Sequence, residues 1–112
     1  MVDGKRWTVQ DRNGNEIYLT DERWLHITDP INHPEMNDYE EELKETIQTG
    51  TRKQDGLNPR KYRYSKWFDR LTEDNTHIVA IALFAFVTNE SGKIVSNNYV
   101  VTAYQKEILS DD

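Results

Sequence analysis

The chain has 112 residues, a net charge of −6, a 36% hydrophobic and 30% charged composition, and no cysteine. Domains cluster at about 100–150 residues, so this length predicts a single domain over 1–112 with one core, and three Trp, six Tyr and three Phe exclude a wholly disordered chain. The absence of cysteine excludes a disulfide framework, a thiolate metal site and a cysteine nucleophile, and the net charge excludes a uniformly basic surface.

Residues 7–10 and 16–19 flank an Asp-Arg-Asn-Gly-Asn turn whose Asn13-Gly14 pair supplies positive backbone dihedrals, which predicts a short β-hairpin. At Thr20 a capping hydroxyl precedes two acidic residues that oppose a helix dipole, so a helix starts there, and Pro30 limits its length. Its Trp24 and Ile27 face the core, leaving Arg23 and His26 on a neighbouring face. A second helix is expected from Asn37 or Asp38 to Thr49, with Met36, Tyr39, Leu43 and Ile47 as its apolar stripe and Gly50 as its end. Glu40, Glu41, Glu42 and Glu45 make the opposite face acidic, either as a solvated face or as a dock for a basic protein partner.

After a turn at 55–59, the aromatic-rich segment 60–68 predicts a strand with basic side chains on both faces. The run 77–88 is too continuously apolar for a half-exposed edge and is expected to be the central strand. A turn at 89–92 then leads into a strand over 94–104, and the C-terminal residues are expected to fray. Together these elements predict an α+β fold of two short helices packed on an antiparallel sheet of about four strands, with an additional N-terminal β-hairpin. The longest apolar run, 78–87, is about half the ~20 residues that span a bilayer, and the first seven residues lack the apolar stretch of a signal peptide. A cytoplasmic protein with no membrane partner is expected.

Charge is segregated along the chain. Residues 52–70 carry a net +5 and the remainder −11, so a local positive surface can hold phosphate while the rest repels polyanions. Within that stretch, strand alternation puts Arg60, Tyr62, Tyr64 and Lys66 on one face and Lys61, Arg63, Ser65 and Trp67 on the other. Either face combines cations that hold phosphate oxygens with rings that stack on unpaired bases. The alternative is an edge strand protected from aggregation by its Lys and Arg.

An unperturbed imidazole exchanges a proton near neutrality, so His26 is a candidate general acid or base, or else a structural residue bonded to backbone or carboxylate. His33 is read as a loop or helix-entry residue and His77 as the start of a strand. In the last strand Thr102 and Tyr104 share a face, where a hydroxyl and a phenol suit a phosphate or oxyanion, although Thr also suits a strand simply by being β-branched. No nucleotide-binding glycine loop, zincin motif or serine nucleophile elbow is present, and no metal or cofactor is expected.

Several of these pieces coincide with a known pattern. The segment 17–27 (Ile-Tyr-Leu-Thr-Asp-Glu-Arg-Trp-Leu-His-Ile), His33-Pro-Glu-Met36, the helix ending in Gly50, the strand Lys61-Tyr-Arg-Tyr-Ser-Lys66 and the strand Val100-Val-Thr-Ala-Tyr104 together resemble phage- and mobile-element-associated domains. These belong to the barnase, EndoU, colicin E5/D and RelE-like (BECR) nuclease assemblage, and the likeness covers about residues 16–106. The resemblance implies N-terminal helices on an antiparallel sheet and a metal-independent ribonuclease acting by 2′-hydroxyl transesterification. It assigns His26 as acid or base, Arg63 or Lys66 as stabiliser of the pentavalent phosphorus, and Thr102 as a donor to a phosphate oxygen, with Lys61, Tyr62, Tyr64 and Tyr104 as RNA contacts. The alternative it leaves is a non-catalytic RNA- or protein-binding accessory protein.

Overall fold

The computed structural model describes residues 4–109. The expectations placed on residues 1–3 and 110–112, part of a leaderless start and a frayed end, lie outside the described residues. The elements in chain order are β1 (Lys5–Gln10), β2 (Glu16–Thr20), α1 (Asp21–Ile27), a 3-10 helix (Pro34–Asp38), α2 (Glu40–Thr49), β3 (Thr51–Gln54), β4 (Lys61–Trp67), β5 (His77–Leu83), β6 (Phe86–Thr88), β7 (Ile94–Ser96) and β8 (Asn98–Lys106). The main sheet runs β1-β2-β8-β5-β4-β3, and β6 and β7 form a separate two-stranded ribbon. Within the main sheet all neighbours are antiparallel except β2 and β8.

The α+β class and the mostly antiparallel sheet agree with the sequence reading, but the sheet has six strands and mixed direction rather than about four antiparallel ones. The N-terminal hairpin is no appendage. Ile17 and Tyr18 of β2 pair with Asn98 and Tyr99, and the Asn98 amide donates to the Glu16 carbonyl at 3.1 Å. β3 was hidden because Thr51, Lys53 and Gln54 are all exposed and give no apolar alternation.

Local chemistry sets the element ends. Thr20 caps α1 by accepting from the Arg23 amide at 3.0 Å. α2 starts at Glu40, later than expected, because Pro34 opens a 3-10 helix and Tyr39 adopts a non-helical φ of −129° between the two. Met36 still reaches the core, from the 3-10 helix rather than from α2. The long apolar run is cut at Phe84 and Ala85, which bond the backbone of Arg60 and Asn97. Its first half becomes core strand, whereas its second half leaves the sheet as the ribbon, where Phe86 and Ile94 are more than 70% exposed.

The two faces of the main sheet differ. On one, Val9, Ile17, Leu19, Ile78, Ala80, Ala82, Val100 and Ala103 pack with Trp24, Ile27, Met36, Leu43 and Ile47 of the helical segments into the core. Each fully buried Leu, Ile or Met contributes about 1.5–3 kcal/mol. The opposite face carries Lys61, Arg63, Ser65 and Trp67 of β4 beside His77, Val79, Ile81 and Leu83 of β5. α2 turns directly into β3 at Gly50, whose φ of −75° suits any residue; the constraint is space. A Cβ there would lie 2.3 Å from the Thr46 carbonyl oxygen and 2.6 Å from that of Ser65, both backbone atoms.

Gly50→Ala should therefore destabilise the fold by about 1–3 kcal/mol, the usual cost of forcing atoms into filled space. Urea denaturation measures this, and a midpoint equal to that of the wild type would show that the α2–β3 junction has slack.

Candidate nucleic-acid interface

Strand register lays out the second face in rows. Trp67, His77 and Lys106 lie side by side on β4, β5 and β8. The next row is Thr51, Ser65, Val79 and Tyr104, followed by Lys53, Arg63, Ile81 and Thr102. The part of this face next to β3 opens into a cleft of about 770 Å³ that reaches round to the end of α2. Arg12, Lys53, Arg63, Lys66, Lys106 and His77 line it together with Trp67, and Glu107 is the one carboxylate among its described lining residues.

These cations differ in their partners. Lys66 projects from the helix-covered face at the cleft edge, where it bonds Thr49 Oγ1 at 2.6 Å and Glu45 at 3.1 Å. Among the described residues, Arg12, Lys53, Arg63 and Lys106 make no ion pair. The cleft thus holds positive charge without matching carboxylates. Screening over about 8 Å at physiological salt keeps the distant acidic surface from cancelling it.

Arg12 reaches the cleft because the β1–β2 turn is anchored across the molecule. Asp11 accepts hydrogen bonds from the Asn13 and Asn15 amides, from the Asn15 side chain, and from the Tyr64 hydroxyl at 2.6 Å; Arg52 lies 3.7 Å away. The Asp11 side chain is 2% exposed. Burial is the largest single influence on its carboxyl and pushes it up, but the bonds from Tyr64, Asn15 and Asn13 together outweigh this and hold it below its ordinary value of 3.8. Burial, followed by the bond to Asp11, raises the Tyr64 phenol far above its ordinary value of 10.0.

Of the residues singled out from sequence, Arg63 and Lys66 meet in the cleft. Thr102 shares a face and a row with Arg63 but lies beyond Ile81, roughly 10 Å away at the usual strand spacing. Tyr104 is on the same face with its ring centroid 5.6 Å from that of His33, and Lys61 is half-buried there opposite Leu83. Tyr62 and Tyr64 lie on the helix-covered face. Tyr62 packs on Phe84 beneath the Arg52 guanidinium, and Tyr64 is 1% exposed, so its ring is core and has no face to offer a base. His26 is exposed on α1 and does not line the cleft; its carbonyl accepts from the Asn32 amide at 2.8 Å.

The sequence reading passed over Arg12, Lys53, Lys106 and His77 as site residues. Alternation in β4 did set Trp67 beside Arg63, but the other four reach the cleft through cross-strand register and the anchored turn, which carry no local sequence signal. The acidic face of α2 is largely engaged within the molecule. Glu40 pairs with Arg6 and accepts from Trp7 Nε1 at 2.8 Å, while Glu41 pairs with Lys44 and Glu45 with Lys66.

Comparison of the chain with family models, curated proteins and solved structures finds no match. No described helix is long and apolar enough to cross a membrane.

The Asp11 carboxyl titrates lower in the folded chain than in the unfolded one, so its stabilisation is complete above about pH 3.8 and is lost as pH falls through the folded value. Asp11→Asn should flatten the acid limb of a plot of Tm against pH below about pH 4. Tyr64→Phe should cost about 1.5–3 kcal/mol at neutral pH, the worth of a hydrogen bond to a charged group. Superimposable acid limbs for wild type and Asp11→Asn would show that the carboxylate carries no pH-dependent stability.

Proposed function

We propose that this domain binds RNA by gripping its phosphate backbone in the basic cleft. One observation carries the reading: four cationic side chains without carboxylate partners gather in a single groove of a chain whose net charge is −6. Held by a sheet and an anchored turn, these groups repel one another when the groove is empty, and phosphate relieves that repulsion. Among polyanions, RNA is chosen by the resemblance of the β4 and β8 segments to RNA-cleaving domains.

A second reading, RNA cleavage by 2′-hydroxyl transesterification, has its own support, since an imidazole lies in the same cleft as Arg63 and Lys66. That imidazole is His77, whose Nδ1 is 2.7 Å from the Thr76 hydroxyl, and not His26. In this reading His77 takes the 2′-hydroxyl proton and the oxygen attacks phosphorus. The P–O5′ bond breaks as the 5′-oxygen takes a proton from water, giving a 2′,3′-cyclic phosphate and a 5′-hydroxyl, and the His77 imidazolium returns its proton to the hydroxide left behind, while Arg63 steadies the extra negative charge.

Salt titration tests binding. The affinity for single-stranded RNA should fall with a log–log slope of about −0.7 per neutralised phosphate, and Arg63→Ala or Lys53→Ala should each make that slope shallower by roughly one contact. An affinity indifferent to salt would overturn the proposal. For cleavage, His77→Ala should lower the rate on the order of 100- to 10,000-fold while His26→Ala leaves it unchanged. RNA that remains intact with wild-type protein leaves binding as the function.

A further inference from the structure

Resting on the binding reading above, we infer that the cleft takes unpaired RNA, with one base stacked on the exposed ring of Trp67. The three tryptophans have different surroundings. Trp24 is 5% exposed in the core, Trp7 is half-buried and donates its indole N–H to Glu40, and Trp67 is 60% exposed at the end of β4. An indole left in water on the rim of a basic groove offers a large flat surface, and tryptophan is enriched where such surfaces meet a partner.

Its neighbours suit a nucleotide. His77 and Lys106 follow Trp67 across the sheet at roughly 5 Å strand spacing, and Arg63 lies on the same face four residues back along β4, roughly 13 Å away. A base on the indole therefore places its strand over cations on two sides. In a duplex the base faces are covered by one another and only the backbone and groove edges are presented, so a stacking ring selects for unpaired strands. The cleft volume of about 770 Å³ falls in the range of sites that hold a small ligand, room enough for a nucleotide beside the indole.

The experiment measures binding of a short unstructured RNA, of the same RNA annealed to its complement, and of inorganic polyphosphate, a polyanion without bases. Wild-type protein should prefer the unpaired RNA. Trp67→Ala should weaken that complex by about 10- to 100-fold and leave polyphosphate binding unchanged, while Trp67→Phe retains most of the affinity. Because the side chain is exposed, both variants should keep the wild-type Tm. Equal binding of duplex and single strand, with no effect of Trp67→Ala, overturns the stacking inference and leaves backbone binding standing. Failure of wild-type protein to bind any of the three probes overturns the backbone-binding proposal as well.

Discussion

A single buried carboxylate joins the two ends of this sheet. In strand order β1 and β3 are opposite edges, yet Asp11 at the end of β1 touches Arg52 of β3 and Tyr64 of β4. The strands therefore curl round α2, which packs against β1, β4 and β5. An isolated carboxylate in such a place would be expelled or protonated. Here two backbone amides, an asparagine side chain and a phenol surround it, so that burial and ionisation coexist. Losing one of these bonds leaves the carboxylate buried with fewer donors, which is why a bond to this charge is worth more than one between neutral groups.

That closure links stability to the cleft. Arg12 follows Asp11 in the chain and stands over the groove only while the turn is held against β4. Gly50 lines the cleft beside it, where α2 becomes β3 with no room for a side chain. The positive surface is thus assembled from three distant pieces, namely the first turn, the middle strands and the start of the C-terminal segment. Each is fixed by backbone pairing or by the Asp11 bonds rather than by contact with a counter-ion. The acidic residues are managed differently: Glu40, Glu41 and Glu45 all bond cations within the molecule.

Much of the local structure was legible in the sequence. The first hairpin turn, the Thr20 cap, the end of α2 at Gly50 and the alternation of β4 each depend on neighbours a few residues apart, and each is present, although in the turn Gly14 takes a positive φ and Asn13, expected to share it, does not. Long-range pairing was not legible. Parallel addition of β2 to β8 connects residues about eighty positions apart, and β3 consists of polar residues that read as loop. The division of the 77–88 run was hidden because apolar residues read alike whether they enter the core or stand exposed on a ribbon. For the site, alternation grouped Arg63 with Trp67, but it could not say which face of β4 the helices cover. Only that choice distinguishes a tyrosine in the core from a tryptophan at the surface.

The pairing of β2 with β8 also sets an order of events. On a ribosome, the first hairpin emerges long before the strand that receives it, and local contacts cannot replace a partner so far along the chain. Until residues 98–106 are made, Ile17 and Leu19 lack part of the interior that finally encloses them, and the hairpin waits with an unclaimed edge. Synthesis must thus pass residue 106 before this architecture closes, and a truncation that removes β8 strips β2 and β5 of a partner at once.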